Sequence, residues 1–268
     1  MSASEPVCLV GWGAIGQRVA ALLTECKAPF CIVAVAVRDP GQKREGLPEG
    51  ARLISAPLDL THTGASLAVE VAGRASVLPF GRAALAAGMD FAVSSTSAFV
   101  DDAVYSELIT LAKRQGRQLL VPPGALGGID ALAAASRLGL AYVEHRIVKP
   151  ARAWLGTPAE QLCDLEGLAA PFAFFEGSAR EAADRFPQNA NVAVITSLAG
   201  IGLERTRITL VADPAAMLNA HEIRAEGDFG TLDIRLQNRP LANNPKSSEM
   251  TALNIVRLIE NRSAGLML

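Results

Sequence analysis

Long uncharged hydrophobic runs are missing from this 268-residue chain, and none reaches the roughly 18 residues of a membrane span. The opening MSASEPVCLVGWGAIG also lacks a basic region followed by an apolar signal core, so a cytoplasmic protein is expected. Neither charge sign is in surplus: 25 basic and 27 acidic side chains leave a net charge of −2. No broad attraction for nucleic acid or an anionic membrane follows, and small molecules are the expected partners. Cysteine is sparse and unpatterned. Cys8, Cys26, Cys31 and Cys163 form no Cys-x-x-Cys pair, and three scattered histidines complete no zinc-ligand pattern. Free thiols in a reducing compartment, and no metal, are the consequence.

What is present is an alternation. β-branched runs at 7–10, 31–37, 67–72, 90–95 and 118–122 are separated by Ala/Leu-rich helical stretches, which predicts a parallel sheet covered by helices. After PPGALGGID (122–130) the texture changes. Runs at 142–150, 172–178, 206–214, 219–227 and 230–236 follow one another mostly without helices, which predicts a mainly antiparallel sheet. The expectation is an α/β protein: a Rossmann-type doubly wound domain over 1–125, completed by a C-terminal helix within 246–268, and an α+β domain over 126–245. That second domain is expected to carry substrate, catalysis and the interface of a homodimer, because such a sheet leaves a face or an edge to cover.

The first run leads into Gly11-x-Gly13-x-x-Gly16 at the opening of a helix. In this setting the first glycine permits a tight turn, the second admits a pyrophosphate to the backbone, and the third lets helix and strand pack closely. Gly11, Gly13, Ala14, Ile15 and Gly16 are therefore candidate cofactor contacts. The second run ends AVAVRDP. An acid about 20 residues beyond the glycines would accept from the ribose hydroxyls of NAD, whereas here Arg38 comes first and Asp39 follows. Arg38 could meet the 2′-phosphate of NADP, or RDPG could be an ordinary turn. NAD and NADP both stay open. Trp12 has no assigned role.

On a strand over 219–227, Asn219 and His221 point the same way. Histidine titrates near neutrality and suits proton transfer, although most strand histidines do no chemistry. Several segments now bear on that choice: GWGAIG, SSTSAF (94–99), PPGALGGID, FEGS with FPQNANVA, VADPAAMLNAHEIRAEG (211–227) and NPKSSEMTALNIVRLI (244–259). Together, and in this order, they resemble the L-aspartate dehydrogenase family. The resemblance implies NAD(P)-dependent oxidation of L-aspartate to iminoaspartate, which hydrolyses to oxaloacetate and ammonia or feeds NAD biosynthesis. It places the catalytic histidine at His221 and further dinucleotide contacts at Ala125 and Asn191. Two substrate carboxylates call for cationic clamps, for which Lys149, Arg152, Lys246 and the SSTS hydroxyls are candidates; Asn219 could orient the imidazole or bind substrate. His62 and His145 are not marked by the resemblance. Two other readings compete: a related reductase for another small dicarboxylate or semialdehyde, and a non-catalytic dinucleotide sensor, which would need no proton acceptor.

Overall fold

In the computed structural model, residues 5–26, 30–187 and 189–267 are described. The chain divides into two compact units, one reaching to Pro122 and resuming at Ala252, the other spanning Pro123–Thr251.

The first unit is a six-stranded sheet of β1 (Glu5–Val10), β2 (Phe30–Ala36), β3 (Arg52–Ile54), β4 (Leu67–Glu70), β5 (Asp90–Val93) and β6 (Leu119–Leu120), ordered β3-β2-β1-β4-β5-β6. Every pairing is parallel. Helices α1 (Ala14–Glu25), α2 (Arg74–Ala86) and α3 (Asp102–Gln115) make the crossovers. Because helices cover both faces, the central strands bury successive residues and not alternate ones; Val7, Cys8, Leu9 and Val10 are all inaccessible. Helix α3 has clear local boundaries. Asp101 caps it by accepting from the amides of Ala103 and Val104, and Gly116 ends it in the left-handed region.

The second unit holds α4 (Ile129–Ala135), β7 (Leu140–Pro150), β8 (Phe172–Ser178), α5 (Ala179–Arg185), α6 (Asn191–Ala199), β9 (Arg207–Asp213), β10 (Asn219–Gly227) and β11 (Gly230–Asn238). Its five strands run β11-β10-β7-β9-β8, and all pair antiparallel except β7 with β9. The exception arises because β9 lies between β7 and β8, which run in opposite directions. A short hairpin follows, β12 (Pro240–Leu241) with β13 (Asn244–Ser248), and then α7 (Glu249–Asn261).

Three expectations change. The helix anticipated from Lys246 begins at Glu249, because residues 244–248 pair as a strand. The second half contains α4, where no helix was expected. The edge strand β3 was not anticipated at all. From Ala252 onward α7 lies in the core of the first unit, where Ala252, Ile255, Val256 and Ile259 pack with Val7, Leu9, Val35 and Val69. Arg262, just beyond the helix, pairs with Glu5 on β1 at 2.6 Å and with Asp90 on β5 at 2.7 Å. Among the described residues no helix is long and apolar enough to cross a membrane.

Candidate active site

In the first unit the chain turns from β1 into α1 through the glycine loop. Gly11 has φ +113°, and a Cβ there would lie 2.8 Å from the Cα of Ala72. A Cβ on Gly16 would lie 2.6 Å from the carbonyl oxygen of Gly11. Both positions therefore exclude a side chain for internal reasons. Gly13 differs: a Cβ there would meet nothing within 4 Å, so its bareness leaves room outside the fold. Gly13 also caps α1 without a side-chain hydrogen bond, and the first turn, containing Ala14 and Ile15, has no acid. The helix thus presents amide N–H groups and the positive end of its dipole where an anion can approach. A pyrophosphate fits this cradle.

The adjoining cleft has a volume of about 370 Å³ and is lined by Gly11, Trp12, Gly13, Arg38, Asp39 and Arg44 among others. Strand β2 ends at Ala36, so Arg38 and Asp39 lie in the following turn and both line the cleft. Alternation along a strand, which would send them to opposite faces, does not apply. Asp39 accepts from the amide of Gly41 at 2.9 Å, and Arg44 donates to the carbonyls of Asp39 and Gln42. RDPG is a turn and a cleft wall at once. Trp12, unassigned from sequence, donates its indole N–H to the carbonyl of Glu45 and so ties this loop to the glycine turn. Beneath it, the buried Glu70 at the end of β4 accepts from the amides of Ala72, Gly73 and Ser95 and from the Ser95 hydroxyl. Burial raises its pKa, and those donors oppose the rise. One carboxylate thereby fixes the loops after β4 and β5, and the SSTS hydroxyl of Ser95 is committed to it.

In the second unit β10 lies antiparallel to β7, with His221 opposite Ile147 and Ile223 opposite His145. Directly opposed residues share a face, and side chains alternate along each strand. His145 and Lys149 from β7 therefore join Asn219 and His221 from β10 on one face. All four are buried. His221 Nδ1 lies 3.2 Å from His145 Nε2, and His145 Nδ1 lies 2.9 Å from the hydroxyl of Thr196 on α6. Asn219 donates to the Ser248 hydroxyl at 3.0 Å. Lys149 donates to Asn189 Oδ1 and to the carbonyl of Lys246, and its ammonium sits 5.4 Å from the centre of the Trp154 ring.

Burial disfavours charge on all three bases of this cluster. Desolvation pushes His145 down to about 3 and lowers Lys149 to about 8, the latter helped by Lys246. His221 is held well below the usual histidine range by desolvation and then by its neighbours His145 and Lys149. At neutral pH both imidazoles are uncharged and Lys149 is mostly an ammonium. Three polar atoms are buried with no hydrogen-bond partner among the described residues: His221 Nε2, Asn219 Oδ1 and Asn189 Nδ2. Unpaired polar atoms in such numbers at one place are costly unless something binds there. An unpaired imidazole nitrogen, an amide acceptor, an amide donor and a cation can together hold a small zwitterionic or dicarboxylate molecule.

The remaining candidates lie elsewhere. Ala125 is buried in the loop before α4, where its carbonyl accepts from Asn238 at 2.7 Å; Asn191 opens α6. Lys246 is on β13 and reaches the cluster through its backbone carbonyl. Arg152 is exposed and lines a different groove, with Met217. His145 and Lys149 were present in the sequence, but only the pairing of β7 with β10 reveals them as neighbours of His221.

Residues 130–262 match the family model for the aspartate dehydrogenase C-terminal region, and residues 11–122 match the NAD-binding domain model of homoserine dehydrogenase. The chain is 66% identical to the L-aspartate dehydrogenase of Brucella anthropi over 98% of both sequences. It belongs to the L-aspartate dehydrogenase family. The family member of Cupriavidus necator is 41% identical over 96% of this chain and 97% of its own. The crystal structure of aspartate dehydrogenase from Thermotoga maritima superposes with a TM-score of 0.76 at 25% identity, covering 98% of this chain and 99% of that one. A homoserine dehydrogenase from Thiobacillus denitrificans, at 14% identity and TM-score 0.61, shares the fold. Within the aspartate dehydrogenase family, then, this chain sets a glycine-loop nucleotide domain and a buried histidine cluster on two separate units.

Proposed function

We propose that this protein oxidises L-aspartate to iminoaspartate with NAD or NADP, releasing oxaloacetate and ammonia on hydrolysis, and that it runs the reverse amination as well. Family membership supports the reaction, and one observation carries it to named residues: the unpaired His221 Nε2 buried beside Lys149. A nicotinamide held here would supply the acceptor for the hydride that leaves Cα. The glycine loop and Arg38, with Ala125 and Asn191, are assigned to holding that cofactor. His221 removes a proton from the substrate ammonium before hydride transfer, releases it to solvent, and as a neutral imidazole again takes one from the water that attacks the imine. Both tasks need a neutral imidazole at working pH, which burial supplies. Lys149 receives a substrate carboxylate, and Asn219 Oδ1 accepts from the amine and orients it. A dinucleotide sensor would need neither the unpaired base nor the buried cation.

The test is cofactor reduction by purified protein with a panel of L-aspartate, L-glutamate, L-alanine and L-malate, and cofactor consumption with oxaloacetate plus ammonia. L-aspartate should give the highest kcat/KM. A clear preference for another member of the panel would move the assignment to a related reductase.

The assembly and location are part of this proposal. One sheet face of the second unit carries Glu144, Arg146, Glu222, Arg224, Asp233 and Arg235 in alternating sign. Such a surface can pair with its own copy, supporting a homodimer, which light scattering would measure. Cys8, Cys26, Cys31 and Cys163 are all free thiols, which fits the cytoplasm.

A further inference from the structure

The hydrogen bonds around His145 admit only one consistent direction. The Thr196 hydroxyl has a single proton and two neighbours, the Val192 carbonyl oxygen at 3.0 Å and His145 Nδ1 at 2.9 Å. The carbonyl is an obligate acceptor. If the hydroxyl donated to His145, two oxygens would face each other at 3.0 Å with no proton between them. The hydroxyl therefore donates to Val192 and accepts from His145 Nδ1–H. A neutral imidazole carries one proton, so His145 Nε2 is bare. His221 Nδ1 stands 3.2 Å away and must then be the donor. Its own single proton is thereby placed on Nδ1, and Nε2 is left with a lone pair. That is the atom with no partner among the described residues.

We propose that His145 is a positioning residue which, anchored by Thr196 and the Val192 carbonyl, holds the proton of His221 on Nδ1 and so presents Nε2 as a base. The inference rests on the reading of His221 as the proton acceptor. It assigns His145 the place that a carboxylate takes in a serine-histidine-aspartate arrangement, with one difference: a neutral partner orients the ring without adding negative charge. Such an arrangement suits a site that must admit a dicarboxylate, because an anion behind the histidine would repel the substrate. When Nε2 accepts a proton, the resulting imidazolium still donates through Nδ1 to His145 Nε2. The orientation is kept through the step.

The test uses long-range proton–nitrogen NMR on the intact protein labelled with nitrogen-15 histidine. The chain has three histidines, and His62 is exposed and serves as the reference. Near pH 8, His145 and His221 should both show the Nδ1–H tautomer. A wild-type spectrum with the proton of His221 on Nε2 overturns the proposal, whatever the enzyme's activity. His145→Leu removes the acceptor at similar volume and should shift the His221 tautomer and lower kcat about 10- to 100-fold, with cofactor affinity unchanged. His145→Gln restores an acceptor and should recover part of that loss. Thr196→Val should disturb the His145 tautomer, whereas Thr196→Ser should not. If the His145→Leu protein keeps both the wild-type tautomer of His221 and its kcat, the idea fails. A wild-type tautomer as described, combined with an active His221→Ala variant, would instead overturn the reading of His221 as catalytic.

Discussion

The nucleotide loop of the first unit works by omission: Gly11 and Gly16 have no room for a Cβ, and the bare Gly13 opens the end of α1 to an anion. The histidine cluster of the second unit works by burial, keeping two imidazoles, an amine and an amide from water on one sheet face. The first arrangement is local, contained within six consecutive residues. The second draws on β7, β10 and α6 together, and its properties follow from desolvation. A site of the first kind should bind through backbone groups that mutation of distant side chains leaves intact. In a site of the second kind, every member's protonation depends on its neighbours.

The sharpest break between the two comes from His221→Ala. Loss of a general base lowers kcat by about 10²–10⁴-fold. Cofactor affinity should barely move, because the substitution leaves the glycine loop, Ala125 and Asn191 unchanged. Steady-state kinetics with cofactor titration by fluorescence would read both. A folded variant retaining most of its activity would return His221 to a structural role.

Lys149→Met separates binding from chemistry inside the cluster. Removing a buried charge-assisted hydrogen bond to a carboxylate should raise KM for L-aspartate about 10- to 100-fold. A dicarboxylate without an amine, such as succinate, gives the cleaner pH test. Lys149 titrates at about 8, lowered from the ordinary lysine value by burial and by Lys246. It is charged below that pH and binds the dianion; above it, inhibition should weaken by up to about tenfold per pH unit. In Lys149→Met the inhibition constant should lose this dependence. A variant with unchanged KM and the same pH dependence would place the carboxylate on another group.

The difference between the units also explains what could be read without coordinates. GWGAIG is contiguous, and its strand and helix are announced by the residues on either side, so the nucleotide domain was legible. Asn219 and His221 were legible as a pair because they lie two apart on one strand. His145 and Lys149 share their parity on β7, but parity alone does not say which face, or which strand lies alongside. Only the register of Ile147 against His221 does so. The residues KSS (246–248) read as the start of a helix because Lys and Ser precede a strongly periodic run; they pair as part of β13 because β12 lies beside it. β3, three residues of RLI, is too short to show a period.

Acid stability tests the burial directly. The folded values of His145 and His221 are depressed, while in the unfolded chain both would titrate near 6.5. Below that pH the unfolded chain takes up protons that the folded chain refuses. Their contribution is thus complete above about 6.5 and falls on acidification, by at most about 1.4 kcal/mol per pH unit for each histidine. Glu70, whose pKa burial raises, acts with the opposite sign from the ordinary carboxylate value upward, so the histidine contribution is read as the difference between wild type and a histidine variant. Urea unfolding at pH 7.5 and 5.5 should show a loss of about 1–2.5 kcal/mol. The loss should shrink in His145→Gln, and an equal loss in that variant would mean the imidazole is not buried uncharged.

The smallest effect is expected where the first unit does rely on side chains, at the turn after β2. Arg38 and Asp39 both line the cleft, one able to pair with a 2′-phosphate and the other able to accept from ribose hydroxyls. Neither cofactor is excluded by such a wall, so NAD and NADP should both be used, with NADP at least comparable. Asp39 is partly occupied in holding the turn through the Gly41 amide, which reduces its hold on the ribose. Arg38 is exposed, so solvent weakens its pairing, and Arg44 adds a second guanidinium to the same cleft. Arg38→Asp should therefore raise KM for NADP several-fold, up to about tenfold, while KM for NAD changes little. Values of kcat/KM for both cofactors, in wild type and variant, decide it. Equal weakening of both would mean the substitution disturbed the turn itself, and strong NAD selectivity in the wild type would mean Asp39 governs the cleft.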